Sequence, residues 1–270
     1  TDLERKVYFF YQIRKNTFKA QRLIQLYGMQ KTCIIIPCYN ESSRLDLDAY
    51  NGFLNSHQEL DVCFVNDGST DNSLFILEQL ATNFDTVSVI HLEKNLGKAE
   101  AIRHAVLHLS EKNYAYLGYL DADLSTSLDE MLRITRFSSS TSKFILGSRI
   151  KTLNTTIERS AIRHILGRSL ATIVNTFILK LPIYDTQCGA KLIENSLAKD
   201  IFKQPFVSKW LFDIELLLRT NKLKGATFCK QHILEVPLNK WQDNGNTRIT
   251  FMDFINIPID LLRIYFQYQK

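Results

Sequence analysis

The chain has 270 residues, 45% hydrophobic and 23% charged, with five cysteines and a net charge of +5. That length supports one large domain or two small ones, and the composition excludes disordered, fibrous and low-complexity classes. Cys33, Cys38, Cys63, Cys188 and Cys229 are odd in number and form no C-x-x-C pair; neither a disulfide framework nor a zinc site fits, and reduced thiols in a cytoplasmic protein are expected.

The charge is unevenly placed. Residues 1–31 carry seven Lys/Arg (Arg5, Lys6, Arg14, Lys15, Lys19, Arg22 and Lys31) against Asp2 and Glu4, which is the whole net charge. Val7-Tyr-Phe-Phe-Tyr11, Ile13, Phe18, Leu23 and Ile24 are interleaved with them. Segment 1–30 therefore suits a basic amphipathic helix on a membrane surface, or equally a helix packing its aromatic side on the domain. No nucleic-acid-binding motif accompanies the charge, so nucleic acid is not an expected partner. The charge-interrupted start does not read as a secretory signal. The apolar run Ser169–Leu179 is eleven residues between Arg168 and Lys180, short of the ~20 that a bilayer crossing needs.

From residue 31 strand and helix signals alternate. Thr32-Cys-Ile-Ile-Ile-Pro37 reads as a buried strand, Val62–Val65 as another, and Asp71–Leu80 as a helix capped by Ser69 or Thr70. Val87–His91 is a strand, Lys98–Leu109 a helix entered through Gly97, and Tyr116–Leu120 a strand. Leu128–Phe137 is a helix and Phe144–Gly147 a strand. This order predicts an α/β fold with a mostly parallel central sheet and helices on both faces.

Beyond Ile150 the spacing predicts a long helix over Thr155–Leu179, a loop at Tyr184–Gly189 and a helix from Trp210 to Leu218. A short strand at Leu234–Pro237 and two apolar-faced helices over Phe251–Gln267, broken before Pro258, complete the chain. No linker interrupts 31–270, which is expected to be one domain: a nucleotide and metal half over 31–150 and an acceptor half over 151–270.

In parallel sheets ligands bind outside the carboxyl ends of the strands. Polar loops stand there: Tyr39-Asn-Glu41, Asn66-Asp-Gly-Ser-Thr-Asp71, Lys94-Asn-Leu-Gly-Lys98 and Asp121-Ala-Asp123. Loops rich in Asp, Asn and Gly suit a nucleotide, because carboxylates accept from ribose or base and glycines admit close backbone approach. In extended backbone residues i and i+2 share a side, so Asp121 and Asp123 are expected to converge on a hard divalent cation, Mg²⁺ or Mn²⁺, that bridges to a diphosphate.

The motifs Ile34-Ile-Ile-Pro-Cys-Tyr-Asn-Glu-Ser-Ser-Arg-Leu45, Val65-Asn-Asp-Gly-Ser-Thr-Asp71, Lys94-Asn-Leu-Gly-Lys-Ala-Glu-Ala-Ile-Arg103, Leu120-Asp-Ala-Asp-Leu124, Leu146-Gly-Ser-Arg149, Asp185-Thr-Gln-Cys-Gly-Ala-Lys191 and Trp210-Leu-Phe-Asp-Ile-Glu-Leu216 occur in that order. Together they resemble glycosyltransferase family two, and within it the dolichyl-phosphate glucosyltransferases and related polyprenyl-phosphate glycosyltransferases. The resemblance implies a GT-A nucleotide-sugar-binding fold and inverting transfer of a hexose, glucose from UDP-glucose, to a lipid phosphate. It implies a peripheral position on the cytoplasmic face of a membrane. Pro37, Tyr39, Asn40, Glu41, Asn66, Asp67, Gly97, Lys98 and Ala122 would line the donor pocket, and Asp121 and Asp123 would bind the metal. Arg149, Arg159, Arg163 and Arg248 would meet donor or acceptor phosphate. Asn66 stands where the family frequently has aspartate, Ser125 where many relatives have glutamine, and Ala190 where phenylalanine is common.

A lipid phosphate is already anionic and needs cations more than a base. Arg159 and Arg163, four apart, would share a helical face and grip it. A sugar hydroxyl would need a base, for which Asp185 comes first and Asp213 second; the alternative for each is a structural carboxylate, bracing a loop or paired. Arg248 is either a phosphate clamp or an exposed arginine. Cys188 lacks an adjacent base and is not expected to be a nucleophile. A non-catalytic module binding nucleotide sugar or membrane is the alternative of another class.

Overall fold

The structure, a computed structural model, describes residues 30–153, 155–158, 171–172, 174–243 and the helix 251–268. Segment 1–29, Arg159, Arg163 and Arg248 lie outside the described residues, as does most of the helix expected over Thr155–Leu179.

The chain begins with strand β1 (Thr32–Cys38), helix α1 (Leu47–Ser56) and strand β2 (Asp61–Asp67). Helix α2 (Ser73–Asn83), strand β3 (Val87–Leu92), helix α3 (Lys98–Leu109) and strand β4 (Tyr116–Tyr119) follow. Then come α4 (Leu128–Thr135), β5 (Phe144–Ser148), β6 (Thr156–Glu158) and a π-helical turn at Val174–Leu179. The chain continues with β7 (Lys191–Glu194), α5 (Asn195–Ile201), α6 (Phe212–His232), β8 (Ile233–Pro237), β9 (Lys240–Gln242) and α7 (Phe251–Tyr268).

Seven strands form one sheet in the order β3-β2-β1-β4-β7-β5-β8. All neighbours run parallel except β7, which lies antiparallel between β4 and β5. Each central strand is buried on both faces. Ile34 and Ile36 of β1 face one apolar cluster, completed by Tyr50, Phe53 and Leu54 of α1, Leu77 of α2 and Met131 of α4. Cys33 and Ile35 face the other, with Ile102 of α3, Leu197 of α5, Leu216 of α6 and Ile264 of α7. This alternation with period two is what a strand between two helical layers requires.

Several expectations are corrected. Residues Thr156–Glu158 are a strand rather than the start of a helix, because the β-branched Thr156 and Ile157 pair with Lys240 and Trp241 of β9. Helix α2 starts at Ser73, and neither Ser69 nor Thr70 caps it: Ser69 Oγ accepts from the Asn40 N–H and the Thr70 N–H donates to Asn40 Oδ1. Helix α7 runs unbroken past Pro258. Proline removes one backbone donor, but Ile257, Leu261, Ile264 and Tyr265 all pack on the core and hold the helix through it. Helix α6 extends to His232 across a kink at Gly225, well beyond Leu218. Helices α1 and α5 and strands β7 and β9 were not expected. Among the described residues no helix is long and apolar enough to cross a membrane.

Candidate active site

The carboxyl ends of β1, β2 and β4 open on one rim, and their loops are stitched together. The Glu41 N–H donates to Ser73 Oγ at 2.7 Å, and the Ser42 N–H and hydroxyl both donate to Asp71. Asn40 adopts φ 49°, a left-handed conformation that asparagine tolerates. Pro37, in register with Val65, and Tyr39 are partly exposed at this rim, and Glu41 is buried beside Arg44.

Asp67 ends β2 and is buried. Its two carboxylate oxygens accept from the Leu96 and Gly97 N–H groups, both at 2.8 Å. The loop before α3 is thereby fixed to β2. Gly68, at φ 64°, lies so close to the backbone of Lys94 and Asn95 that a side chain would collide with them. Asn66 is fully buried with its amide nitrogen 2.8 Å from Nδ1 of His91. Asp67 thus braces the loop that presents Lys98, a connection that strand-by-strand reading did not anticipate.

Strand β4 ends at Tyr119, and Ala122 and Asp123 lie in a turn. The expected argument from extended backbone therefore does not apply to Asp121 and Asp123. The turn is shaped by other bonds: the Ser125 N–H donates to Asp123 Oδ1 at 2.9 Å, and the buried Tyr50 hydroxyl donates to the Ala122 carbonyl at 3.1 Å. Lys98 Nζ donates to Asp121 Oδ1. Burial works against the Lys98 charge, but Asp121, Asp213 and Asp123 overcome it and hold the ammonium above the ordinary lysine value. Of these three carboxylates, Asp121 is the one that bonds the ammonium directly. On the other side Oδ2 of Asp121 rests on Gly189, where a Cβ would overlap it.

Gly189 arrives on the loop before β7, which pairs Lys191 with Tyr119 of β4. Lys191 is fully buried; its ammonium donates to the Cys188 carbonyl and to Asp213 Oδ1, each at 2.6 Å. Tyr119 donates to the same Asp213 oxygen. Asp213 is thus a paired carboxylate, and the nearby Glu215 accepts from the Val207 and Ser208 N–H groups and Tyr268 and pairs with Arg219.

Asp185 is held by Arg149 through two side-chain bonds, Nε to Oδ2 at 2.6 Å and Nη2 to Oδ1 at 2.8 Å, and by the Arg149 N–H at 3.1 Å. Glu235 fixes the loop from behind, accepting from the Tyr184 and Asp185 N–H groups. Burial would raise the Asp185 carboxyl, yet the Arg149 guanidinium holds it well below the usual carboxylate range. A carboxylate so stabilised as an anion is a poor proton acceptor. Arg149 also stacks 5.3 Å from the Trp241 ring, so its charge is partly spent inside the protein. Cys188 is fully buried, and burial pushes its thiol up to about 11, which agrees with its exclusion as a nucleophile.

Tyr50, Tyr119, Gly189, Lys191, Glu235 and Trp241 shape this site without having been singled out as site residues. A lysine within the apolar run Gly189-Ala-Lys-Leu-Ile193 was the available signal, since an unpaired charge is not buried.

Among the described residues no three His, Cys, Asp or Glu gather round one point. Asp121 and Asp123 offer hard oxygen donors, which suit Mg²⁺ or Mn²⁺ provided that ligand oxygens and water complete the shell.

Comparison with known proteins agrees with this architecture. The Glycosyl transferase family 2 model matches residues 33–202. The dolichyl-phosphate beta-glucosyltransferase of Dictyostelium discoideum is 30% identical over 254 residues, 87% of this chain and 74% of that protein. The human protein of that name is 29% identical over 252 residues, covering 87% and 75%. Among solved structures, glucosyl-3-phosphoglycerate synthase from Mycobacterium tuberculosis with Mn²⁺, UDP and phosphoglyceric acid superposes with TM-score 0.63 at 14% identity, covering 87% of this chain and 78% of that one. Its complex with Mg²⁺ and UDP gives 0.63 at 16%, covering 91% and 83%. At such identity the likeness is one of fold, and that fold is GT-A. With the family model spanning more than half of its length, this chain belongs to glycosyl transferase family 2.

Proposed function

We propose that the chain transfers glucose from UDP-glucose to a polyprenyl or dolichyl phosphate at the cytoplasmic surface of a membrane, with inversion, and that Mg²⁺ or Mn²⁺ at Asp121 and Asp123 assists. The observation that carries the reading is the meeting of Asp121, Lys98 and Gly189 at the rim formed by the carboxyl ends of the parallel strands β1, β2 and β4. The names of the relatives and the UDP, Mn²⁺ and Mg²⁺ in the structural neighbours support it.

In this reading Pro37, Tyr39, Asn40, Glu41, Asn66, Asp67, Gly97 and Ala122 form the wall that receives the nucleoside. Asp67 acts by holding Leu96 and Gly97, and Asn66 by its buried amide beside His91. The cation, when bound, stabilises negative charge on the departing diphosphate. Lys98 supplies a further positive charge at the same rim. Residues 31–150 then serve the donor and 151–270 the acceptor.

The Arg149–Asp185 pair favours a phosphate acceptor. Asp185 is committed as an anion to Arg149, whereas a phosphate nucleophile needs no base, only orientation and charge compensation. Arg159, Arg163 and Arg248 are proposed to provide that compensation, and the basic segment 1–30 to meet the lipid surface.

Incubation with polyprenyl phosphate and labelled UDP-glucose tests the proposal. Label should enter the lipid fraction only with Mg²⁺ or Mn²⁺ present, and chelation should stop it. Undiminished turnover in Asp123→Ala would overturn the assignment.

A further inference from the structure

Lys98 is the first residue of α3, and its ammonium spans from that helix to Asp121 of the neighbouring rim loop. The pairing is built from three sides. Asp67 clamps the Leu96 and Gly97 N–H groups and so fixes where Lys98 emerges. The Phe212 ring lies 5.9 Å from the ammonium. Gly189 closes the far side of Asp121, so Oδ2 is walled by backbone while Oδ1 carries the lysine.

Nevertheless the pair is not sealed. The Lys98 side chain is 30% exposed and that of Asp121 38%. A half-exposed ion pair is open to entering ligands and is screened more than a buried one, and lysine is a compact charge on a flexible four-carbon stem. Arg149, by contrast, is locked to Asp185 by two side-chain bonds and is 13% exposed. Lys191 is fully buried against Asp213. Of these three cations, Lys98 is the one placed to change partners.

We propose that Lys98 is an exchangeable counter-ion: it neutralises Asp121 in the free protein, yields that oxygen to an entering divalent cation, and then turns to the diphosphate arriving with it. This deepens the proposed function and rests on its assignment of Asp121 and Asp123 to the cation. The charges explain the exchange. Two carboxylates and a divalent cation cancel, so a nucleotide-sugar diphosphate brings two uncompensated negative charges, and the displaced ammonium offsets one of them. Metal and nucleotide should therefore bind cooperatively, each removing the other's competitor.

The consequence is a pair of opposite signs in Lys98→Ala. Mn²⁺ alone, followed by electron paramagnetic resonance, should bind about threefold to fivefold more tightly than to the wild type, because the competing ammonium is gone. UDP at saturating Mn²⁺, followed by calorimetry, should bind about tenfold more weakly. Lys98→Gln, closer in length, should show the same two signs and guards against a packing defect in the alanine variant. Lys94→Ala removes an exposed charge from the same loop and should alter neither affinity. If the wild type binds no Mn²⁺ with or without UDP, the assignment of the cation falls and takes this inference with it. If the wild type binds Mn²⁺ but Lys98→Ala and Lys98→Gln bind it equally or more weakly, the cation assignment stands and the exchange is refuted.

Discussion

Gly189 leaves open the space in which Asp121 rests: a Cβ built there would overlap Oδ2 of the carboxylate. The two residues are brought together by β7, which lies antiparallel beside β4 and starts two residues after Gly189. Gly189→Ala must therefore displace Asp121. A misplacement of about 1 Å at a reacting centre costs about 100-fold in rate. The expected outcome is a loss of that order in kcat/KM, a parallel loss of Mn²⁺ affinity, and a melting temperature little changed. Full activity with full Mn²⁺ binding would show that the glycine does not protect Asp121.

Lys191 and Asp213 form a buried ion pair joined by Tyr119. Removing one partner of such a pair strands a charge and destabilises by about 3–5 kcal/mol, whereas replacing both with apolar groups is often neutral. Lys191→Met should fall in that range by urea denaturation. Adding Asp213→Leu should restore most of the loss. A double variant no more stable than the single one would contradict the pairing energetics.

Asp185 carries a prediction about acid. Its folded carboxyl lies well below the usual range because of Arg149, despite burial. The unfolded chain, with an ordinary value of about 3.9, then takes up the proton first as pH falls. The contribution is complete above about pH 5 and is lost as pH drops towards the folded value. Urea midpoints measured from pH 7 to pH 2 should show a shallower acid limb in Asp185→Asn than in the wild type. With a lipid-phosphate acceptor the same variant should retain measurable transfer, because no proton has to be removed; complete abolition with donor binding intact would point to a hydroxyl acceptor instead.

Asp67 holds the loop before α3 through two charge-assisted bonds to Leu96 and Gly97. Each such bond contributes about 1.5–3 kcal/mol, so Asp67→Ala should raise the donor KM by at least about tenfold, with a smaller effect on kcat. Asp67→Asn keeps one acceptor oxygen and should fall between the two. Calorimetric titration with UDP provides the direct check.

The basic segment is open to a binding experiment. Its seven Lys/Arg and aromatic run suit an anionic lipid surface. Deleting residues 1–27 should reduce sedimentation with anionic liposomes, and high salt should reproduce part of the loss. Unchanged sedimentation would remove the segment from the membrane contact.

The residues that end β1, β2 and β4 are legible in the amino-acid order alone. Parallel strands send all their carboxyl ends to one edge, so recognising β1, β2 and β4 from their apolar runs was enough to group Glu41, Asp67 and Asp121 before any contact was known. That order also determined the two-faced burial of the strands, because Ile34 and Ile35 are both apolar and only a sheet between two layers buries both. Which polar group meets which is settled instead by contacts between distant segments. Lys98 and Asp121 are 23 residues apart, Arg149 and Asp185 are 36 apart, and Tyr50 and Ala122 are 72 apart. No local period records such separations. Strand β6 likewise depends on β9, more than 80 residues later, and so Thr156 looked helical in its own neighbourhood. The reversal of β7 is the deciding case: hydrophobic pattern fixes that Leu192 and Ile193 are buried but not the direction in which they run. Only the antiparallel pairing with β4 sets Lys191 beside Tyr119 and Gly189 against Asp121.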